Sequence, residues 1–268
     1  MKSNQILAIW GSPNCGKTTT SIKIARELAL KKKNVIIVMC DTLCPQAMIV
    51  LPHTKAEKKS LGSLVSAPNI SQEDILSKCI TLDKNQYISI LGYEQGENIF
   101  TYAQYSKERA VDLFILLRHL ADYVIVDCSS VFASDILSTV ALEIADKVIR
   151  LKNANLKAIS YFDSYLPLLA DRKFNVDNHI KVLSDVKNNE PKEQIKEKYH
   201  GIKYELPHLE EISEQFLCGE LFQGLKSKEK EEYNSTIREL ITLVFDESFE
   251  DKKSSGRVLP WFKGGKKL

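Results

Sequence analysis

A strand followed by a glycine-rich loop and a helix is the feature that most restricts how this chain can fold. Residues 5–10, QILAIW, form an apolar run, and GSPNCGKT follows at residues 11–18. The pattern G-x-x-x-x-G-K-T between a strand and a helix is typical of a phosphate-binding loop, or P-loop. In such a loop, backbone N–H groups and the helix N-terminus face phosphate oxygens. A turn that merely connects strand to helix is the alternative, but it leaves Lys17 and Thr18 unexplained.

The P-loop predicts a set of nucleotide-contacting residues. They are Gly11, Ser12, Pro13, Asn14, Cys15, Gly16, Lys17, Thr18 and Thr19. Lys17 is expected to reach the β and γ phosphates, and the Thr18 hydroxyl is expected to ligate Mg²⁺. The apolar run DYVIVD ends in Asp127, which we predict to hold the metal through water at the same sheet edge. Taken alone, an aspartate at a strand end is as well suited to capping a helix or a turn.

Strands alternate with helical segments along most of the chain. Apolar runs predict strands at 5–10, 34–40, 87–93, 122–128, 146–152, 179–185 and 202–206. Helices are predicted at 17–31, 72–79, 106–119, 135–145, 155–170, 190–199, 209–218 and 227–246. In the first helix, Lys23, Glu27 and Lys31 are expected to face water. The alternation predicts an α/β fold with a doubly wound, mostly parallel sheet and helices on both faces.

Composition sets the expected domain organisation and location. With 268 residues, 44% of them apolar, the chain can form one large domain. We predict a P-loop domain over 1–248 and a flexible basic and aromatic tail over 249–268, where periodicity stops. Scattered cysteines without metal spacing, and no signal-peptide or bilayer-spanning run, indicate a cytoplasmic protein with reduced thiols. The formal net charge of +2 does not call for nucleic acid.

The chain resembles the ParA/MinD group of P-loop ATPases. The resemblance rests on the P-loop with its KTTT, on Asp41 at the end of NVIIVMCD, and on DYVIVDCSS. It continues through ALEIADKVIRLKNANLKAI and ELPHLEEISEQFLCGELF, and it covers roughly residues 5–245. Within the group, residues 60–117 are most similar to the CpaE/TadZ-like ATPases, which serve pilus assembly and related secretion or conjugation machines.

This resemblance implies a function and a role for each matched residue. It implies ATP and Mg²⁺ as cofactors, with Lys17 and Asp41 catalytic and Asp41 positioning the water that attacks the γ-phosphate. Asp41 is also a further candidate metal ligand, although a turn cap is the simpler role for an isolated aspartate. Residues 41–46 and 127–131 would be the two switch segments. The implied protein is an ATP-dependent homodimer that localises or regulates a membrane-associated machine through a protein partner.

Several positions depart from the family pattern. Ser12 stands where many relatives carry a lysine that contacts the partner's phosphates, and Pro13 stands where glycine is usual. A serine supplies no cation to a neighbouring site, so we expect slow or partner-dependent hydrolysis. Met39 replaces the first aspartate of the switch pair. Ser184 and Asp185 replace an asparagine often found near the base, so the choice of ATP rests on the resemblance alone.

The tail and the basic runs leave other partners open. Residues 257–268 combine lysines with Trp261 and Phe262, which suits weak peripheral contact with the inner face of an anionic membrane. A solvated tail, or one docked on its own domain or a partner, is the alternative. Basic runs at 31–33 and 55–59 offer phosphate contacts, but nucleic-acid binding is not expected. A nucleotide-binding scaffold without hydrolysis, a DNA-partition ATPase and a small-molecule phosphotransferase are the other functions considered.

Overall fold

The computed structural model describes residues 4–52, 54 and 57–249. Within these residues the strands are β1 (Gln5–Gly11), β2 (Val35–Met39), β3 (Ile80–Leu82), β4 (Asn85–Gly92), β5 (Tyr123–Asp127), β6 (Lys147–Lys152), β7 (Ile180–Val186) and β8 (Tyr204–Pro207). The α-helices are α1 (Lys17–Leu30), α2 (Ala47–Val50), α3 (Leu61–Val65), α4 (Gln72–Lys78), α5 (Lys107–Arg118), α6 (Ile136–Ile144), α7 (Leu156–Tyr165), α8 (Lys192–Lys198), α9 (Glu210–Leu217) and α10 (Lys230–Phe245). Of the predicted tail, only Phe249 belongs to the described residues. None of the described helices is long and apolar enough to span a bilayer.

The strands form one sheet in the order β3-β4-β2-β5-β1-β6-β7-β8. All neighbouring strands are parallel except β3 and β4, which are antiparallel. The predicted doubly wound α/β fold is therefore confirmed, and each predicted strand has its counterpart. The additional strand β3 has three residues, too few to give a recognisable alternation in the sequence.

Alternate residues of β1 divide between the two faces of the sheet. Leu7 and Ile9 join the core under α1 and α10, whereas Ile6, Ala8 and Trp10 join the core under α5 and α6. Successive side chains of a strand point to opposite faces, so a strand covered on both faces must be apolar throughout. This is why QILAIW reads as a continuous apolar run.

The connections from β1 and from its neighbour β5 run in opposite directions along the sheet, and this places a crevice at the carboxyl end of β1. α1 leads from β1 to β2 on one side, and α6 leads from β5 to β6 on the other. Open α/β sheets bind their ligands outside the carboxyl ends of the strands at such a point. The register puts Ile9 and Met39 beside Asp127 at this edge, so the P-loop and Asp127 meet there.

The prediction that Lys23 and Glu27 face water is wrong. Each is 4% exposed, because the chain around α9 and α10 covers this side of α1. Lys23 Nζ donates hydrogen bonds to Gln215 Oε1 at 2.6 Å and to the carbonyl oxygens of Leu221 at 2.7 Å and Gln223 at 3.0 Å. A buried ammonium therefore ties the P-loop helix to the segment that connects α9 with α10.

Lys23→Met is expected to lower the free energy of unfolding by ~2–3 kcal/mol. The substitution keeps the length of the side chain but leaves three acceptors without their charged donor, and buried unsatisfied acceptors are costly. Urea denaturation measures the change, with Lys84→Met at an exposed lysine as the matched control. Equal stabilities of the two variants would contradict a stabilising role for Lys23.

Candidate functional site

Residues 11–18 leave β1 and enter α1 as a tight loop. Gly11 has no room for a side chain, since a Cβ there would lie 2.1 Å from the carbonyl oxygen of Leu151. Gly16, at the N-cap of α1, has a φ of 82°, and Asn14 has a φ of 59°. Both angles lie in the left-handed region that glycine and asparagine tolerate best. The residue types of the loop are thus those that its backbone path requires.

The N-terminus of α1 carries no side-chain cap. Five other helices, α3 to α7, begin with a side chain that accepts a hydrogen bond from a first-turn N–H group; these caps are Ser60, Ser71, Ser106, Asp135 and Asn155. The first N–H groups of a helix need partners and carry partial positive charge. Those of α1 remain available at the sheet edge, where a phosphate group would satisfy them.

Lys17, the first residue of α1, reaches across the loop to the chain that follows β5. Its Nζ donates to Ser130 Oγ at 2.6 Å and to the Ser12 carbonyl oxygen at 3.5 Å. The hydroxyl of Tyr161 on α7 donates to the Ser130 carbonyl oxygen at 2.6 Å. Sequence reasoning misses the Ser130 contact and Tyr161 altogether, because the first joins residues 113 positions apart.

Asp127 ends β5 and is 3% exposed. Thr18 Oγ1 donates to Asp127 Oδ2 at 2.6 Å, while Asp127 Oδ1 is buried without a hydrogen-bond partner among the described residues. Burial raises the pKa of Asp127 to about 6, an effect that Lys17 and Thr18 oppose and Asp41 reinforces. A buried carboxylate oxygen without a partner, next to a threonine hydroxyl, matches the hard oxygen ligands that Mg²⁺ prefers. Thr18 and Asp127 therefore fit the metal role predicted for them.

Asp41 follows β2 and lines the same cavity as the P-loop. Its Oδ1 accepts the backbone N–H groups of Leu43 at 2.9 Å and Cys44 at 3.2 Å, so Asp41 does cap a turn. Its charge also raises the pKa of Asp127, which places it within electrostatic reach of the metal-side carboxylate. Because Oδ1 makes both turn contacts, Oδ2 is the oxygen through which Asp41 can serve the site.

The side chain of Ser12 points into the interior of the protein. It is 2% exposed, and its Oγ lies 3.5 Å from Asn153 Oδ1. Among the described residues that line the cavity, Lys17 is the only cation.

The P-loop opens into a cavity of about 560 Å³, a size that suits a small organic ligand. Its far end is apolar and is lined by Leu209, Ile212, Phe216, Leu217 and Tyr233. Asp185 stands at that end with a φ of 57°, and its Oδ1 lies 2.6 Å from Nδ1 of His208. This hydrogen bond raises the pKa of His208. An anion-binding end and an apolar end in one cavity match the phosphates and the planar base of a nucleotide.

The structure brings most of the predicted residues together around this cavity: Pro13, Asn14, Cys15, Gly16, Lys17, Thr18, Thr19, Asp41 and Asp127. Gly11 and Ser12 lie behind the loop, against Leu151 and Asn153. Sequence reasoning misses the apolar end, because periodicity does not distinguish a cavity-lining residue of α9 or α10 from a core residue. The membrane contact predicted for residues 257–268 lies outside the described residues.

Comparison with known proteins places this site in a known fold. A family model described as an AAA domain matches residues 11–175, more than half of the chain. No curated protein matches the sequence. Solved structures with the same fold include Pyrococcus horikoshii MinD complexed with Mg-ADP, which is 15% identical with a TM-score of 0.69 over 90% of this chain and 98% of that one. They also include a ParA family ATPase from Chlorobium tepidum, 13% identical with a TM-score of 0.71 over 88% and 97%, and a putative plasmid partition protein from Borrelia burgdorferi bound to AMPPNP, 18% identical with a TM-score of 0.67 over 89% and 98%.

Proposed function

Because this chain belongs to the AAA domain family, we propose that it is a nucleotide-dependent switch of the ParA/MinD type that binds ATP with Mg²⁺ and hydrolyses it slowly. One observation carries the proposal: the uncapped start of α1, Lys17, Thr18 and the unpartnered oxygen of Asp127 converge at one end of a single cavity. The Mg-ADP in Pyrococcus horikoshii MinD and the AMPPNP in the Borrelia burgdorferi protein support the same class of ligand here.

Each part of the site has a distinct task in binding the phosphates. Backbone N–H groups of Asn14 and of residues 16–18 would bind phosphate oxygens, and Lys17 would leave Ser130 to bind the β and γ phosphates. Thr18 would hold Mg²⁺ through its hydroxyl, and Asp127 would hold it through water. When bound, the metal neutralises charge that develops on the phosphate oxygens.

Asp41 positions the attacking water by accepting a hydrogen bond from it through Oδ2, since Oδ1 is engaged in the turn. Residues 41–46 follow β2, and residues 127–131 continue from the end of its neighbour β5. Both segments line the cavity, so contacts to a γ-phosphate would order them together. Binding or loss of the γ-phosphate would thereby change the shape of the protein surface.

Slow hydrolysis follows from the charges of the site. Within the described lining, Lys17 is the only cationic side chain that can reach the transition state, and Ser12 is buried against Asn153. A cation supplied to the transferring phosphoryl group contributes a factor on the order of 10³ to 10⁵. The rate should therefore rise when a partner supplies such a cation or orders residues 41–46 and 127–131.

The biological setting is proposed from the resemblance of residues 60–117 to the CpaE/TadZ-like ATPases. In this setting the protein, as an ATP-dependent homodimer, localises or regulates a membrane-associated pilus, secretion or conjugation machine from the cytoplasmic side. A structural neighbour supports a protein partner: the MinC:MinD complex of Aquifex aeolicus, 16% identical with a TM-score of 0.68 over 93% of this chain and 99% of that one. Residues 257–268 would add weak contact with the membrane surface.

Specific observations bear on two alternative functions. The buried Ser12 favours a scaffold that binds nucleotide without useful hydrolysis. A DNA-partition ATPase is disfavoured, because Lys31 and Lys33 of the first basic run pair with the buried Glu247 at 3.5 Å and 2.8 Å. These lysines have less charge to offer to DNA phosphates than their sequence suggests.

Asp41→Ala is expected to reduce Mg-ATP turnover on the order of 10²-fold, because the water loses the group that positions it. ATP binding should be retained, since the P-loop is unchanged. Phosphate release measures turnover, a nucleotide-binding titration measures affinity, and light scattering should show the wild-type mass double when ATP is added.

Two further variants make this test specific. Asp41→Asn keeps the Oδ1 acceptor for Leu43 and Cys44 but removes the charge, so it separates the turn cap from the catalytic role. Asp83→Ala, at an exposed aspartate, is the control and should match the wild type. If the wild type binds ATP but turns over no faster than Asp41→Ala, the scaffold function replaces the ATPase. Failure to bind ATP would overturn both.

A further inference from the structure

A second pocket lies between strands β6 and β7 on one side and α7 and the end of α8 on the other. It shares no lining residue with the nucleotide cavity. We call it the cation pocket, because Arg150 and Lys152 of β6 and Lys181 of β7 line it together with the rings of Phe162 and Tyr199. Arg150 and Lys181 are register partners in the parallel pair β6–β7. Three cationic side chains therefore converge on one small space.

Two of these cations, Lys152 and the half-buried Arg150, each have a buried nitrogen that finds no acceptor among the described residues. Lys152 is 4% exposed, and its Nζ has no hydrogen-bond partner among the described residues. The same holds for Nη1 of Arg150. Lys181 Nζ donates to the carbonyl oxygen of His200 at 2.8 Å, and an ammonium has further hydrogens to donate. Burying positive charge without a counter-charge is costly, so this arrangement calls for an anion.

Nearby acids do not meet this need. Asp163 is engaged elsewhere, accepting from the Tyr199 hydroxyl at 3.0 Å and from Lys198 Nζ at 3.5 Å. Asp177 is exposed, and the described carboxylates form no ion pair with Arg150 or Lys152. The aromatic rings provide some compensation, since Lys152 Nζ lies 2.7 Å from the centre of the Tyr199 ring and 4.7 Å from that of the Phe162 ring. A ring face attracts a cation but does not neutralise two of them.

We propose that the cation pocket binds one small monovalent inorganic anion of the size of chloride, held by Lys152, Arg150 and Lys181. The size of the space supports this choice over a larger ligand. Its volume is about 20 Å³, enough for one body the size of a water molecule. The space is far smaller than the nucleotide cavity of about 560 Å³, which separates this site from the P-loop.

Anion binding at this pocket should depend on pH. Burial lowers the pKa of Lys152 to about 7; Asp163 on α7 opposes this effect, and Lys198 at the end of α8 and Arg150 on β6 reinforce it. Because a bound anion favours the charged ammonium, binding above this pKa requires uptake of a proton. The apparent affinity should therefore fall at least about tenfold between about pH 6 and about pH 9.

Chloride-35 NMR of the full chain tests the proposal. The wild-type protein should broaden the chloride resonance at about pH 6, bromide should compete, and the broadening should decrease strongly at about pH 9. Lys152→Met, which fills the pocket with an uncharged chain of similar length, should lose most of the broadening. Lys157→Met, at an exposed lysine of α7, should retain it. Equal broadening by wild type and Lys152→Met would overturn the proposal.

A crystallographic measurement keeps the test independent of how well the variants fold. Wild-type crystals soaked in bromide should show an anomalous peak between Lys152, Arg150 and Lys181. A bromide-soaked crystal without that peak would overturn the site even if the variants proved unstable. Neither experiment involves nucleotide, so their outcome is separate from that of the proposed ATPase.

Discussion

Lys17→Ala is expected to lower Mg-ATP turnover on the order of 10³-fold and to weaken nucleotide binding. The described lining of the cavity has no other cationic side chain, so the loss of this ammonium leaves the phosphate charge to Mg²⁺ and the backbone N–H groups. Phosphate release and a nucleotide-binding titration measure the two effects. The unfolded fraction at working temperature should not change, because among the described residues the Lys17 side chain donates only to Ser130 Oγ and weakly to the Ser12 carbonyl oxygen.

The control for this prediction is Lys84→Ala, which removes an exposed lysine from the turn between β3 and β4. It should bind and turn over nucleotide as the wild type does. Wild-type affinity for nucleotide in Lys17→Ala would mean that the loop between β1 and α1 is only a connection, the alternative that the sequence leaves open.

Asp127→Asn is expected to abolish metal-dependent turnover and, at the same time, to stabilise the nucleotide-free protein. The amide keeps a carbonyl oxygen for the Thr18 hydroxyl but cannot supply the negative charge that Mg²⁺ requires. Its stabilising effect arises because the wild-type carboxylate is buried, with one oxygen unpartnered among the described residues. A residue that serves a metal site would thus reduce the stability of the empty protein.

The sign of the pH dependence follows from the pKa of Asp127, which burial raises from 3.8 to about 6. Ionisation of a carboxyl whose pKa is raised by folding lowers the stability of the folded protein. The full stability is therefore present below about pH 4 and is lost as the pH rises through 6. A shift of about two units corresponds to ~3 kcal/mol at neutral pH. Asp127→Asn should be more stable than the wild type by about this amount at pH 7, and the difference should vanish near pH 4.

Urea denaturation in the presence of a chelator, repeated across this pH range, measures the difference. Asp83→Asn at an exposed position is the control and should follow the wild type at every pH. If Asp127→Asn were less stable than the wild type at neutral pH, the carboxylate would have a partner that satisfies Oδ1, and the metal role assigned to it would lose its support. Added Mg²⁺ should stabilise the wild type more than the variant.

Much of the fold could be predicted from the sequence because its signals are local. The central strands β1, β2 and β5 are apolar on both faces, because helices cover both sides of the sheet. Such strands can be recognised in a sequence as continuous apolar runs. The short helices α2 and α3 and the strand β3 were not predicted, since segments of three to five residues do not complete a pattern.

The polar side of α1 shows where local periodicity fails. Lys23 and Glu27 lie at the spacing of a solvated face, yet both are buried, because α10 and the segment before it return to cover that face. The hydrogen bonds of Lys23 join residues 192 to 200 positions apart. A helical period states which residues share a face but not what packs against that face.

The sequence by itself determined the P-loop, the order of strands and helices, and the carboxylates at strand ends, because each depends on spacings of a few residues and on backbone geometry that glycine or proline permits. Only the tertiary structure decided which side chains share a site: Lys17 with Ser130, Asp41 with Asp127, the apolar end of the nucleotide cavity, and the cations beneath α7. The physical reason is that burial and charge interaction depend on distances between elements, and packing of the whole chain sets those distances.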